Sequence, residues 1–506
     1  MQIKSQRRNG AILSYIAIII NTVIQFLYTP FLTRMLGQGE YGLYSLVSSV
    51  IGYLTVLDLG FGNAIIVFSV KYRAQGRYED EKKLHGMFSV IYLIIGIISA
   101  GIGIILSFFA RQIFGNSMTG DELGKAQIMM LILTFNVCLT FIFSIYSSII
   151  TANEQFVFQK IVTILSAIMK PLIMVPLLFL GFKSLAMCVV LTIVNIVASI
   201  SNYWFCKKRL KTEITFKGFD GALLGIIISY SFYIFLTVIV DKVNWNADHF
   251  ILGIVCGTIQ VSVYSIASQL TQLFLNLSTA ISNVFLPKIS QMVARNENSE
   301  TLTSEMIKVG RLQFLIINLM ATGLVIFGKP FIIWWVGNEY QDSYYVALIL
   351  ILPTCLPLIQ NLGLSIMQAM NKYKFKALMT TAMAAGNIII SILLARKYQA
   401  IGAAIGTALA QIIGNVILIN IYYKKVINLN VKAFWSEIIK MFLQFLPTAA
   451  ITLAIISITN IDGIIGVLIY GSVYVAFYCL FAYRFAMNAY EKNIVKGVLG
   501  KFSHKI

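Results

Sequence analysis

The stretch VIVDKVNWNADHF, residues 238–250, decides how the chain divides. It sets Asp241, Lys242, Asp248 and His249 between two long apolar runs, in a chain that otherwise keeps most charges at segment ends. Read as a loop, it joins two membrane-spanning helices. Read as helix, it turns ionisable groups toward something polar inside the membrane. The loop reading leaves the next apolar run, 250–287, as one helix of 38 residues, roughly 57 Å long and nearly twice a bilayer core. The helix reading gives a seventh span over about 221–255, also long, with the turn at Cys256-Gly257.

The chain around it has 506 residues, 58% hydrophobic and 12% charged, with a mean hydropathy of +0.82. A soluble protein of this size carries about twice that charged fraction. Charge-free runs recur at 9–33, 126–150, 184–206, 343–371 and 398–423, each long enough for the roughly 20 residues a helix needs to cross the bilayer core. The composition predicts an all-α polytopic membrane protein of about fourteen spans, beginning near 10, 41, 84, 125, 158, 184, 221, 257, 310, 343, 376, 398, 440 and 463. The opening MQIKSQRRNGAILSYIAIII has the basic start of a signal peptide. Its apolar run is too long and no small-residue cleavage site follows, so it reads as an uncleaved first helix.

A net charge of +19 invites a nucleic-acid reading, but its placement removes the need for one. With the N-terminus inside, one side of the membrane collects Lys71, Arg73, Arg77, Lys82 and Lys83, then Lys207, Lys208, Arg209, Lys211 and Lys217, then Lys372, Lys374, Lys376, Lys424, Lys425 and Lys432. That is the positive-inside pattern, reinforced by anionic lipid. It predicts cytoplasmic termini and no nucleic-acid partner. The six cysteines are scattered through apolar segments and read as packing residues. The longest loop, about 288–311, reads as a polar cytoplasmic connection.

A shift of 220 positions lays Val23, Gly37, Tyr44, Ser45, Ser48, Leu57 and Asn63 on Val243, Gly257, Tyr264, Ser265, Ser268, Leu277 and Asn283. Gly115-Asn116 meets Gly337-Asn338 at 222, and Lys207-Lys208 meets Lys424-Lys425 at 217. The spacing predicts two six-helix pseudo-symmetric lobes, 1–215 and 216–430, parallel because six is even, with two further helices and a tail over 431–506. The same alignment puts Asp241 opposite Asn21, deep in the first helix, and so favours the helix reading of 238–250.

Five ionisable residues then fall inside apolar spans: Asp58, Lys170, Asp241, Lys242 and Asp248. Each costs about 2.5–3.5 kcal/mol against hydrocarbon, so each should face the bundle interior or water. Asp241, Asn244 and Asp248 form one helical stripe, and Lys242, Asn246 and His249 the next, which together read as a wet wall. Blander accounts compete: an interhelix ion pair or capped kink for Lys170-Pro171, backbone hydrogen bonding among close-packed glycines for Asp58, and a solvated interface position for Arg34. GLVIFGKP, residues 323–330, echoes a phosphate-binding loop but has Pro where Ser or Thr is required. GAAIG, residues 402–406, is a helix-packing pattern. Pro353 and Pro357 should bend the tenth span. His85, His249 and His504 show no metal-ligand spacing, and no catalytic constellation or cofactor motif is present, so no enzyme activity and no cofactor are expected.

The segment FLTRMLGQGEYGLYSLVSSVIGYLTVLDLGFGNA, residues 31–64, carries Arg34, Leu36, Gly37, Tyr41, Gly42 and Tyr44, followed by Asp58 and Gly60; DHFILGIVCGTIQVSVYSIA matches it at Asp248, Leu252, Gly253, Tyr264 and Ser265. These motifs resemble the polysaccharide transporters of the multidrug, oligosaccharidyl-lipid and polysaccharide exporter superfamily. The resemblance implies a MATE-like bundle whose central cavity is lined by the first, second, seventh and eighth spans and opens alternately to the two membrane sides. It implies a flippase of the bacterial cytoplasmic membrane, moving polyprenyl-pyrophosphate-linked oligosaccharide of the cell envelope to the outer leaflet, with a proton or sodium ion for coupling and a glycan polymerase as partner. A pyrophosphate crossing the bilayer wants a cationic interior, for which Arg34, Lys170 and Lys242 are the candidates. Asp58, Asp241 and Asp248 are the candidates for the coupling ion. Lys242→Ala is expected to abolish transport while leaving insertion intact. A cation-coupled drug exporter and a peptidoglycan-precursor lipid flippase of the same fold are the alternatives.

Overall fold

A computed structural model describes residues 2–216, 221–372, 374–459 and 463–503. Among these the regular structure is helical, without a strand. The helices are α1 (Gln2–Gly52), α2 (Phe61–Ala74), α3 (Tyr78–Phe114), α4 (Gly120–Ala152), α5 (Phe156–Phe179), α6 (Ser184–Lys208), α7 (Gly221–Val255) and α8 (Thr258–Ala294). They continue as α9 (Ser299–Val336), α10 (Ser343–Ile359), α11 (Leu362–Ala369), α12 (Lys374–Gln411), α13 (Ile419–Tyr422), α14 (Val431–Thr459), α15 (Gly463–Phe481) and α16 (Ala489–Ser503). Among the described residues nine helices are long and apolar enough to cross a membrane, or ten if the α10–α11 pair, bent by 50°, is one span. The chain is an all-α polytopic membrane protein.

Two of those helical stretches, Ile12–Ala74 and Lys374–Ile427, have 63 and 54 residues, each at least twice what one crossing needs. Each is broken by a left-handed residue, Gly37 (φ 76°) and Gln399 (φ 52°). Counting both halves of each, together with the bent pair and the two long helices α7 and α8, the described traverses number fourteen, as the apolar runs predict.

Residues 238–250 lie within α7, and the turn to α8 falls at Gly257 (φ 84°). The helix reading holds for the reason the repeat supplies, not for the reason length supplies. At 37 residues, about 56 Å, α8 is as long as the helix that the loop reading seemed to make untenable. The expected polar connection over 288–311 is mostly helix as well: α8 runs to Ala294 and α9 starts at Ser299, capped by the Asn298 carboxamide, which accepts from the Thr301 amide at 2.9 Å. Charged residues there extend the two helices past the apolar region instead of ending them.

The backbone breaks recur. Left-handed residues in the first half have counterparts in the second: Gly37 and Gly257, Gly76 and Asn296, Glu154 and Asn371, Gly181 and Gln399, Lys211 and Asn428. The separations are 220, 220, 217, 218 and 217 positions, so every turn between successive traverses but the third (Gly115 and Gly337) repeats its hand as well as its place, while the break at Leu59 and Gly60 inside the second traverse has no counterpart. Left-handed φ is uncommon away from glycine, so six non-glycine residues in five matched pairs are not what composition alone produces.

By internal contacts the chain divides into two compact units, Met1–Ser265 and Ile266–Ile506. In the first, α4 packs against α3 and α6, and α5 against α1. Two glycines from the repeated motif explain themselves here. A Cβ on Gly42 would lie 1.9 Å from the Thr258 carbonyl oxygen, and one on Gly253 would lie 2.4 Å from Leu46 Cδ1. The motif marks places where helices approach too closely for a side chain, against backbone at Gly42 and against the Leu46 side chain at Gly253. In the second unit α9 packs against α10, α14 and α15. Arg311 ties α9 to α16 through Glu491 at 2.6 Å, and the Asn318 side chain donates to Tyr478 Oη at 3.1 Å. Gly402 and Gly406 sit against the other half of α12, where a Cβ would meet Leu394 O at 2.2 Å and Ser391 Oγ at 2.4 Å.

Candidate functional site

Within the first unit α5 places Gln159, Thr163, Ser166 and Lys170 at steps of four, three and four, which is one face of a helix. With Asn21 on α1, Ser147 on α4 and Asn202 on α6 they line a cavity of about 340 Å³. Its floor is hydrogen-bonded: Gln159 Nε2 donates to Ser147 Oγ at 3.1 Å, and Thr151 Oγ1 donates to Gln159 Oε1 at 3.2 Å. Lys170 is half-buried, and among the described residues no carboxylate pairs with it. Asn202 Oδ1, out of water, has no donor among the described residues. Pro171 lacks an amide hydrogen, so the carbonyl of Ala167, another lining residue, loses its helical partner. A cation and spare acceptors thus share one cleft inside an apolar helix bundle. That arrangement suits a ligand with both anionic and hydroxyl groups.

The expected acids have different surroundings. Asp58 ends a short 3-10 turn, Tyr53–Asp58, and is followed by Leu59 (φ 53°) and Gly60 (φ 74°), so the second span is broken midway along its length. Its carboxylate accepts from Tyr92 Oη at 2.8 Å and faces the backbone amides of Gly60 and Gly62. It supplies the acceptor that the start of α2 lacks. Asp248 is buried and accepts from Tyr264 Oη at 2.5 Å, while the Tyr264 ring stands edge-on to His249, with centroids 5.2 Å apart. Tyr53 is near enough to Asp248 to feel its charge. The repeat aligns Asp248 and Tyr264 with Tyr28 and Tyr44, which also lie close to one another. The pair is kept, and one partner has become an acid.

Two of the wet-wall expectations need correcting. Asp248 and His249 are buried between helices, at 2% and 9% exposure, because Tyr264 of α8 lies against both and the broken second span packs on α7. Among the described residues of this stretch, Lys242 and Asn246 are half-buried and Trp245 is exposed. Asp241 lies in α7, but its side chain, like that of Asn244, is outside the described residues; so is His504. Arg34 is exposed on the turn before the Gly37 break. Neither Arg34 nor Lys242 lines the Lys170 cavity, so the three expected cations are not brought to one cleft. The polar stripe of α5 went unread although its spacing was available in FVFQKIVTILSAIMK, residues 156–170.

Sequence reasoning also missed a clasp at the basic end of this unit. Arg73 pairs with buried Glu81 and donates to the Ala152 carbonyl at 3.2 Å, while His85 is hydrogen-bonded to Ser69 at 2.9 Å. The segment after α6 folds back onto α3. Thr215 N donates to Lys82 O at 3.2 Å, and Lys82 pairs with Glu213 at 2.7 Å. That ammonium, hydrogen-bonded to the Glu213 carboxylate, holds it below the usual carboxylate range. A Cβ on Gly86 would lie 2.0 Å from the Thr215 carbonyl oxygen, so only glycine admits the strap.

The fold is that of a polytopic, all-helical membrane protein. It superposes with a TM-score of 0.71 on a lipid II flippase, MurJ, in an inward closed conformation, at 18% identity, covering 94% of this chain and 97% of that one. It also superposes, at 0.65 and 13% identity over 82% of this chain and 99% of that one, on an inward-facing multidrug resistance MATE family transporter of the MOP superfamily. Residues 31–345, more than half of the chain, match the family described as "Polysaccharide biosynthesis protein", and the chain belongs to that family. It is 23% identical over 420 residues to a "Putative O-antigen transporter" of Shigella flexneri, covering 79% of this chain and 93% of that protein.

Proposed function

We propose that this protein is a flippase that carries polyprenyl-pyrophosphate-linked oligosaccharide from the cytoplasmic to the outer leaflet of the bacterial cytoplasmic membrane by alternating access, without catalytic chemistry. Membership of the polysaccharide biosynthesis family and similarity, over 79% of this chain, to a protein named as a putative O-antigen transporter support the cargo class. The observation that carries the mechanism is Lys170, a cation without a carboxylate partner among the described residues, set in a hydroxyl- and amide-lined cleft within the membrane. A lysine so placed is stabilised when a phosphate enters, and the amides and hydroxyls around it suit a glycan. Arg34 and Lys242 would then meet the same cargo at other points of its path. Two six-helix lobes, 1–215 and 216–430, would move against one another, with 431–506 added.

Among the acids, Asp248 is the candidate for a coupling proton or cation, because it is buried, accepts from the Tyr264 hydroxyl at 2.5 Å and stands where the first half has Tyr28. Asp58 is engaged by three donors and reads first as the cap of a broken helix. Asp241 stays a coupling candidate by its place in α7. The decisive experiment deletes the protein and assays the sidedness of the polyprenyl-linked glycan pool. Complete oligosaccharide retained on the cytoplasmic leaflet is the expected result. An unchanged pool in a strain with no second flippase would return the choice to small-molecule export.

A further inference from the structure

Away from the Lys170 cleft, a groove of about 650 Å³ opens between the end of the twelfth traverse and the start of α14. Along α14 the residues facing it, Lys432, Trp435, Ser436 and Ile439, follow steps of three, one and three, which is one helical stripe. The stripe continues past the groove as Leu443 and Leu446, both exposed. The facing wall reads in the same sense: exposed Ile417 and Ile421 lead to Lys424 at the groove. The two walls are tied where Trp435 Nε1 donates to Asn420 Oδ1 at 3.0 Å. Each wall is therefore apolar toward the membrane interior and basic at its end, with a tryptophan at the level where aromatic anchors sit.

The nearest acid on α14, Glu437, is engaged elsewhere, with Lys440 at 2.8 Å and Arg311 at 3.5 Å. Among the described residues neither Lys424 nor Lys432 makes an ion pair. We propose that this groove seats one anionic phospholipid of the lysine-rich leaflet, its phosphate between Lys424 and Lys432 and its acyl chains along Ile439, Leu443 and Ile421. Two lysines at the mouth of an apolar groove between helices match a lipid headgroup in charge and its chains in polarity. A zwitterionic lipid would bring its own ammonium against the two lysines, whereas an anionic headgroup carries no opposing positive charge.

The test is native mass spectrometry of the full-length protein in detergent, titrated with phosphatidylglycerol or phosphatidylethanolamine. The wild type should retain phosphatidylglycerol in clear preference. The double variant K424Q/K432Q should lose that preference, by roughly fivefold for each lysine removed, and K424R/K432R should restore it, which separates charge from folding. Substituting two lysines of α16, K492Q/K496Q, should change nothing. The proposal is overturned by equal retention of both lipids, by undiminished retention in K424Q/K432Q, or by an equal loss in K492Q/K496Q, which would mean diffuse attraction to charge. It is also overturned if a polyprenyl phosphate displaces phosphatidylglycerol at equimolar concentration, since the occupant would then be the cargo's own carrier lipid.

Discussion

Lys170 illustrates how a single charge can be costly and still retained. Exposed to hydrocarbon it would cost about 2.5–3.5 kcal/mol; the cleft of Gln159, Ser147 and Asn202 offsets part of that with polar neighbours, yet offers no counter-charge among the described residues. Lys170→Gln should therefore insert at least as well as the wild type and cut flux at least tenfold, whereas Lys170→Arg should keep most of it. Sidedness of the lipid-linked pool at matched protein levels reads both. Lys242→Ala, outside this cleft, should lower flux less than Lys170→Gln; the reverse order would move the anion site to α7. Lys170 and Asp248 were legible as charges out of place in apolar runs. Their surroundings were not, because an acid facing a cavity and an acid against a tyrosine hydroxyl leave the same mark in sequence. The cleft could have been found from Gln159, Thr163 and Ser166, three polar residues at helical spacing below the lysine.

At the scale of elements, the breaks between helices do more than the helices to set the architecture. Gly37 and Gly257 occupy corresponding turns with nearly equal φ, but only Gly257 is also crowded, since a Cβ there would approach the Ser117 carbonyl oxygen to 2.5 Å. A left-handed conformation costs a non-glycine residue about 1–2 kcal/mol, and the clash adds to it. Gly257→Ala should lower the melting temperature of the purified protein by more than Gly37→Ala, where nothing lies within 4 Å. At the other break, Tyr92→Phe removes one of the donors to Asp58 and should destabilise by about 1–2 kcal/mol, with transport retained if Asp58 serves as a cap. Loss of ion-coupled transport at unchanged stability would instead make Asp58 the coupling site. Helix boundaries near 184, 221 and 343 were readable because charges or turn residues bracket those runs. The continuation of α8 and α9 through 288–311 was not, because polar residues signal water and water does not end a helix.

For the whole molecule, the matched left-handed residues give the topology a test independent of the cationic-cavity idea. If each break marks a membrane surface, residues 37, 181, 257 and 399 lie on one side and 76, 154, 211, 296, 371 and 428 on the other. The second set lies beside Arg73, Arg77, Lys207, Lys208, Arg295, Lys372, Lys424 and Lys425. The first has Arg34, Lys183, Arg396 and Lys397 near it, fewer and more scattered. Positive charge therefore predicts that the second set is cytoplasmic. In a variant with the six native cysteines replaced, single cysteines at Gln38, Phe182 and Tyr398 should react with an impermeant maleimide added to intact cells, and those at Gln75, Glu154 and Asn298 only after permeabilisation. The repeat makes the prediction stricter than the charge rule does, because Phe182 and Tyr398 flank corresponding breaks, Gly181 and Gln399, and must label from the same side. Opposite labelling at those two positions would mean that the halves are inverted relative to one another, a different class of repeat and a different route for the cargo.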